Sequence, residues 1–562
     1  MPEAAGPNRP AAANDARFPP NLQHEAPGAT RARALAPERG RWRRIVLTGT
    51  TAAAAGAVHA LSFAPVNLPW LELAALAVCF YLALRAQGAR VAFGIGLAFG
   101  LGWFGVGVSW VYISLHHYGE LWAALAAAAT GALVAYLALY PAAALAAASL
   151  IGAPATARRA MALIGTWTLS EWLRGVVLGG FPWLSTGYAH TDGLLAGFAP
   201  VVGVYGVGGA AALVIALPLG AWLSERRRPW IVFAAGLASL AILGIGASLR
   251  ERAWTQPHGD AIRVRLVQGN IAQDMKFAEG GLDEAIARYL PALQVDAQRP
   301  DGQAPKPPNL IVWPESAFPV PVNDLPEEVL DVLADARRRD GASLIFGAFV
   351  VEPEARYFNS AIGLGTQTTE PQRYGKRHLV PFGEFIPFGF RWFVDLMHIP
   401  IGDQQSGDRF QRPLALAGQQ IAVTICFEDL FGAELLDAWH DSQRAPTLLL
   451  NLSNLAWFDD SLALPQHLQI ARMRSLETAR PMLAATNTGI TAIIDASGKV
   501  ASQLPERRRG ILEGTVQPTQ GSTPFLRTGN WPALMSSALV LLVTVFMRAR
   551  PIGAAPNPDA QT

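Results

Sequence analysis

Two cysteines occur in 562 residues. One of them, Cys426, ends the β-type run of IAVTICFEDL (421–430), and two acids, Glu428 and Asp429, follow it. A thiol where a strand turns into a loop can stand exposed in a cleft; a buried structural cysteine fits the same position on burial statistics alone. Two further junctions favour the first reading. LIVWPESAFP (310–319) places Glu315 just past a buried apolar strand, after Trp313 and Pro314. A carboxylate against an aromatic ring has a raised pKa and acts as a base near neutral pH, whereas the plainer reading is a loop acid. YGKRHLVPFGEFIPF (374–388) supplies Lys376 and Glu384. Lys376 is suited to holding an oxyanion or orienting a carboxylate, against the plain alternative of a solvated surface lysine. As a set the three make chemical sense. A thiol attacks a carbonyl, a carboxylate takes the thiol proton, and a cation with a backbone N–H stabilises the tetrahedral oxyanion. That chemistry requires no metal and no organic cofactor.

The elements that must position these groups fall into two kinds. Hydrophobic residues make up 51% of the chain and charged residues 16%, against about 25% charged in a soluble protein, and the mean hydropathy is +0.24. This composition points to a membrane protein. The net charge of +2 leaves no footprint for nucleic acid. Residues 1–44 are Ala-, Pro- and Arg-rich without period and read as a disordered arm. Apolar runs over 45–64, 68–85, 91–114, 121–151, 160–178, 196–223 and 230–248 predict seven membrane spans within 45–250, and 530–548 predicts an eighth. Residues 549–562 read as a disordered tail. The connections at 39–44, 85–90, 155–160, 224–229 and 547–550 are basic and the alternate ones are not, so the positive-inside rule puts both termini in the cytoplasm. LRERAW (249–254) is a small exception. The segment 255–520 then lies on the outer side. Its strands at 261–268, 310–313, 343–350, 421–426 and 447–453 alternate with helical patterns at 282–297, 325–339 and 465–479, which predicts an α/β domain.

The order WPES, YGKRHLVPFGEFIPF, ICFED resembles the nitrilase (carbon–nitrogen hydrolase) superfamily. VRLVQGNIAQDMKF (264–277), HLVPFGEFIPF (378–388), 453–481, ATNTGITAIIDASG (485–498) and GFPWLSTGY (180–188) narrow the likeness to the bacterial apolipoprotein N-acyltransferases, over about 45–548. The resemblance implies a nitrilase-like αββα sandwich on a bundle of about eight spans, in the bacterial inner membrane, with the catalytic domain periplasmic. It implies acyl transfer from a phospholipid, typically phosphatidylethanolamine, through a thioacyl-enzyme to the α-amino group of a lipidated N-terminal cysteine on diacylated apolipoproteins. Carried over by motif, Cys426 is the nucleophile, Glu315 the general base and Lys376 the stabiliser of the tetrahedral intermediate, with Glu384 and Glu428 as supporting acids. The N–H of Phe427 is an oxyanion donor, and Trp457 and Phe458 belong to a lid over the acyl chains. Two positions depart from the family pattern. Phe427 stands where Tyr is frequent, and Phe277 where Trp is frequent; each keeps a ring. The aromatic run 382–393, which includes Phe382 and Phe385, is either core packing or a loop that dips into the lipid interface.

Two other functions compete. A membrane-tethered amidase would hydrolyse the same thioester with water. A transporter with an outer ligand-binding domain would show internal repeats, which the sequence lacks, and would leave Glu315, Lys376 and Cys426 without a task. GLGWFG (100–105) lies in an apolar run without a βαβ context, so its glycines predict close helix packing rather than dinucleotide binding. His467 sits on a helical pattern and reads as structural, as does Cys79 within its apolar run.

Overall fold

The computed structural model describes residues 27–224, 228–276, 278–294, 307–366, 370–386, 389, 391 and 404–546. Residues 1–48 and 49–562 form separate compact units. The first 26 residues of the expected arm lie outside the described residues, as does the tail. From Pro27 the chain is helical, in α1 (Pro27–Ala60). Ala and Arg dominate 27–44 and are good helix formers, so a helix there needs no apolar period.

Six further helices follow: α2 (Pro69–Arg85), α3 (Ala89–Gly107), α4 (Ala123–Ile151), α5 (Ala157–Arg174), α6 (Ala199–Leu223) and α7 (Pro229–Arg250). Among the described residues, four segments are long and apolar enough to cross a membrane: Ala89–Gly107, Ala123–Ile151, Leu194–Leu223 and Pro229–Arg250. Helix α2 has 17 residues and includes Glu72 and Arg85, and α5 holds Arg158, Arg159, Glu171 and Arg174. In α5 the charges turn inward. Arg174 pairs with Glu171 at 3.1 Å and donates to the carbonyls of Phe181 and Trp183 at 2.6 and 2.7 Å. The ion pair therefore braces the loop that follows rather than facing lipid. Two glycines of GLGWFG do pack helices. A Cβ on Gly100 would lie 2.6 Å from Cα of Ala138, and one on Gly102 would lie 1.9 Å from the carbonyl oxygen of Ala53.

Strands carry most of the second half: β1 (Thr255–Pro257), β2 (Ile262–Gln268), β3 (Leu310–Val312), β4 (Ser343–Glu352), β5 (Arg356–Leu364), β6 (Gln372–Gly375), β7 (Leu414–Leu416), β8 (Gln419–Ile425), β9 (Leu448–Ser453), β10 (Met482–Thr486), β11 (Ala492–Ile494), β12 (Val500–Gln503), β13 (Gly510–Val516) and β14 (Thr519–Gly521). Helices α8 (Gln273–Lys276), α9 (Gly281–Tyr289), α10 (Glu327–Asp340) and α11 (Ala463–Thr478) lie among them, and α12 (Trp531–Phe546) follows. Two six-stranded sheets form, in the orders β13-β2-β3-β4-β5-β6 and β12-β11-β10-β9-β8-β7. The central pairs β2–β3–β4 and β8–β9–β10 are parallel. Parallel strands are buried on both faces, which is why LIV is wholly apolar and LLLNLS nearly so, its Asn451 and Ser453 being buried as well. Val264, Leu266, Leu310 and Ile345 of one sheet meet Ile421, Val423, Leu448 and Leu450 of the other in a shared core. Helices α9 and α10 cover the outer face of the first sheet, through Ala285, Tyr289, Val329 and Leu333. Ala471 of α11 packs on the outer face of the second, against Leu449, Met482 and Ala484. The layers are thus α, β, β, α.

Helix α11 also contacts the apolar helices. Gln466 accepts from the Trp183 indole at 2.7 Å, Gln469 bonds Asn67 at 2.8 Å, and Glu477 accepts from the N–H of Val204 at 2.8 Å. Its polar residues are buried because both of its faces are covered. This is why its sequence shows little one-sided apolar character.

The turn that bears Glu315 lies against Gly347 of β4. The N–H of Gly347 donates to the Pro314 carbonyl at 3.1 Å, and its own carbonyl accepts from Ala317 at 2.8 Å. A Cβ there would meet Cα of Glu315 at 2.5 Å and N of Ser316 at 2.6 Å, both backbone atoms. Gly347→Ala is expected to destabilise the fold by about 1–3 kcal/mol, as overpacking does, and to lower turnover further by displacing Glu315. Thermal unfolding and acyl-transfer rate on the purified full chain check this; wild-type values for both would show that the turn has room to move.

Candidate active site

Three strand ends of the two facing sheets deliver the predicted groups. Glu315 follows β3, Lys376 follows β6 and Cys426 follows β8. Cys426 opens a short 3₁₀ turn over Cys426–Leu430 and adopts φ +54°. That left-handed conformation is sparsely populated for residues with a side chain and survives only where the surroundings enforce it. Here they do. The Cys426 carbonyl accepts from Asn451 Nδ2 at 3.2 Å and from His467 Nε2 at 3.3 Å. One residue earlier, the N–H of Ile425 donates to Glu428 Oε2 at 2.7 Å.

Lys376 is the charge at the centre. It is 1% exposed, and its Nζ lies 2.7 Å from Glu384 Oε1 and 3.4 Å from Glu315 Oε1. Burial works to lower its pKa, but the carboxylates of Glu384 and Glu315 outweigh burial and hold it raised. Lys376 therefore stays an ammonium. Glu315 Oε1 also accepts from Asn359 Nδ2 at 2.8 Å, and Oε2 from the N–H of Asn454 at 2.7 Å. The same Asn359 amide reaches Glu384 Oε1 at 3.5 Å. Glu384 closes its own loop by accepting from the N–H of Val380 at 2.8 Å. The thiol of Cys426 is pushed well above the usual range by burial and then by the charge of Glu315, while Lys376 pulls it down. A thiol held neutral beside a carboxylate loses its proton as it attacks, not beforehand.

The surroundings of Glu315 differ from the sequence expectation. Trp313 packs with Tyr289, Phe318 and Phe346 in the outer core. Polar donors, rather than the indole, surround the carboxylate. Asn359, Asn454 and Lys276 near Glu315 escaped the sequence reading. The first two are buried amides in strands or loops, and only the folded chain brings them within reach.

Glu428 has a different place from the other acids. Its Oε1 accepts from the N–H groups of Arg377 and His378 at 2.7 and 3.1 Å, and Tyr374 Oη donates to both oxygens at 3.1 Å. With the Ile425 bond, this one carboxylate ties the Lys376 loop to the Cys426 elbow. Burial raises its pKa, and the N–H bonds from His378, Ile425 and Arg377 work against that. Asp429, the next residue, is buried beside His467 at 3.5 Å. Burial raises it to about 6, against the pull of His467 and Arg474.

The aromatic residues divide. Phe427 packs near Phe181 of the GFPW loop, with centroids 6.3 Å apart, and Phe458 lies 4.7 Å from Trp110. Trp110 in turn lies 4.8 Å from Trp183. Trp457 is 39% exposed and 6.1 Å from Tyr118. Phe427, Trp110 and Trp183 belong to one apolar cluster that continues into the helices, with Phe181, Phe458 and Cys426 packed against it. Phe385 is half-buried on the Glu384 loop, where Phe382 is exposed with φ +61°. Phe277 lies outside the described residues. No cluster of three or more His, Cys, Asp or Glu suited to a metal occurs among the described residues.

Glu428→Ala leaves the buried N–H of Ile425 and the part-buried donors of Tyr374, Arg377 and His378 without their acceptor, at about 1–3 kcal/mol for a buried donor and less for the others. A loss of about 3 kcal/mol or more is expected, together with loss of turnover. Glu428→Gln keeps one acceptor oxygen and is expected to lose less. Thermal unfolding of the two variants checks the order; an alanine variant as stable as wild type would remove the clamp from this account.

Residues 55–217 match the family described as apolipoprotein N-acyltransferase N-terminal domain, and residues 263–524 match carbon-nitrogen hydrolase. An apolipoprotein N-acyltransferase of Ralstonia nicotianae is 46% identical over 513 residues, covering 90% of this chain and 95% of its own. One from Bordetella bronchiseptica is 44% identical over 544 residues, covering 91% and 98%. One from Nitrosomonas europaea is 41% identical over 502 residues, covering 87% and 95%. With this likeness over nearly the whole length, and a carbon–nitrogen hydrolase domain that carries Glu315, Lys376 and Cys426, the chain belongs to the apolipoprotein N-acyltransferase family.

Proposed function

We infer that the chain is an apolipoprotein N-acyltransferase that works by a ping-pong reaction at Cys426. The observation that carries this is the strained elbow of Cys426. It stands within the electrostatic influence of Glu315, Lys376 and Glu384, at one end of an apolar cluster that continues into the membrane helices. In the first half, Sγ attacks the ester carbonyl of a phospholipid while Glu315 takes the thiol proton. Lys376 and the N–H of Phe427 stabilise the oxyanion. Glu315 returns the proton to the departing alkoxide, which leaves as a lysophospholipid, and the acyl chain stays as a thioester. In the second half, the neutral α-amino group of a diacylated apolipoprotein attacks the thioester. Glu315 accepts the amine proton and passes it to the departing sulfur, leaving the amide and the free thiol. Phosphatidylethanolamine is the donor to test first. Glu384 holds Lys376, Glu428 holds the loop, and Trp457 and Phe458 form the lid.

In the same reading the chain sits in the bacterial inner membrane with eight spans, seven within 45–250 and one at 530–548. The catalytic domain over 255–520 is periplasmic and both termini are cytoplasmic. The basic connections support this orientation. The spans at α1, α2, α5 and α12 rest on position and packing, since each falls short on length or charge.

Incubation of the full chain with phosphatidylethanolamine and no acceptor is expected to add one acyl mass to wild type, removed by hydroxylamine, and none to Cys426→Ala. Intact mass reads this out. Free fatty acid accumulating without an adduct would favour the amidase reading instead. The second half-reaction needs a neutral amine, so transfer from the preformed thioester to a peptide acceptor is expected to rise with pH through about 7.7–8.0. A flat rate between about pH 6 and 8.5, a range that brackets the α-amino pKa, would count against amine deprotonation as the limit.

A further inference from the structure

Lys276 is the last residue of α8 and is 1% exposed. Its Nζ donates to the main-chain carbonyl of Glu315 at 3.3 Å. Burying an ammonium costs several kcal/mol unless an opposite charge offsets it, and a neutral donor would cap a carbonyl without that cost. Burial lowers Lys276 to about 8, and Glu315 is the charge that pulls it back up. Helix α8 reaches Glu315 by a second route. Gln273 accepts from Asn454 Nδ2 at 2.9 Å, and the N–H of Asn454 is the donor to Glu315 Oε2 at 2.7 Å.

The charges around Glu315 show what a lysine adds. From the loop after β6 come Lys376 and Glu384, from β5 the neutral amide of Asn359, from the elbow the thiol of Cys426, and from α8 Lys276. Lys376 sits closer to Glu384 than to Glu315. Two carboxylates thus face one shared cation, and Lys276 supplies the second.

We propose that Lys276 is a positioning residue for the general base, fixing the Glu315 turn through its carbonyl and holding the carboxylate ionised so that it accepts the thiol proton. This rests on Glu315 being that base. With the Lys276 charge gone, Glu315 keeps only the cation it shares with Glu384, and acylation begins only at higher pH.

The experiment is the rate of acyl-Cys426 formation from phosphatidylethanolamine, without acceptor, between about pH 5 and 9, on the full chain in nanodiscs. Wild type, Lys276→Met, Lys276→Arg and Glu315→Gln are compared. Met matches the length of the lysine stem but leaves the Glu315 carbonyl without its donor, so thermal unfolding of each variant is measured alongside to show that the chain is folded before its pH profile is read. The acid limb of Lys276→Met is expected to move up by about one pH unit, and that of Lys276→Arg to stay at the wild-type position. An unshifted limb in Lys276→Met, whatever its rate, overturns the proposal. An equal shift in both lysine variants also overturns it, because packing and not charge is then responsible. Glu315→Gln that acylates at the wild-type rate removes the base reading itself, an outcome separate from either of these.

Discussion

A lysine buried between two carboxylates is the constraint on which the rest of this structure depends. Lys376 has 1% exposure, and Glu315 and Glu384 are both within 3.4 Å of it. Such a cluster is stable only when each remaining lone pair and proton finds a partner. The sandwich supplies them from separate elements: Asn359 from β5, the N–H of Asn454 from the end of β9, and the N–H of Val380 from the loop itself. Asn359 lies within β5 and Asn454 directly follows β9, so the registers of these two strands place two of the three donors. The two sheets therefore do for the charges what a metal cage does for an ion. They fix geometry in advance, so little has to reorganise as a proton moves.

The second demand is apolar, and it acts on the same few residues. In the proposed reaction an acyl chain must reach the Cys426 thiol, which lies near buried charge. Helix α11 meets both demands by lying between the second sheet and the apolar helices, with Gln466, Gln469 and Glu477 bonded to the bundle side. His467 on the same helix donates to the carbonyl of Cys426. One helix thus docks the two halves and steadies the elbow. The ion pair of Glu171 and Arg174 plays the matching part on the other side, since Arg174 grips the carbonyls of the Phe181 and Trp183 loop that faces Phe427.

Much of this was legible in the chain. LIVW, IAVTIC and LLLNLS announce strands because parallel strands are buried on both faces and need mostly apolar runs. Glu315 and Cys426 stand out because each lies just past such a run, where the strand ends. The α10 and α11 patterns lie within two residues of the observed helices. The first 44 residues were harder. Their composition lacks an apolar face, yet 27–44 are helical in α1, because helix propensity does not require amphipathicity.

The sequence by itself determined the set of reactive groups, their order, and the strand ends that carry them, because those depend on residue type and on local period. Only the tertiary structure decided which acid does what. Glu384 and Glu428 are both acids near motif centres, yet one grips a cation and the other accepts N–H groups from Ile425, Arg377 and His378. It also decided that polar amides and not Trp313 surround Glu315, and that Lys276 reaches the Glu315 turn from 39 residues away. The reason is that hydrogen bonds and charge act over a few ångströms of space. Several of the partners that set these roles, Arg377 with Glu428, Lys276 with Glu315 and Asn454 with Glu315, lie tens of residues or more apart along the chain, a distance that no local pattern records.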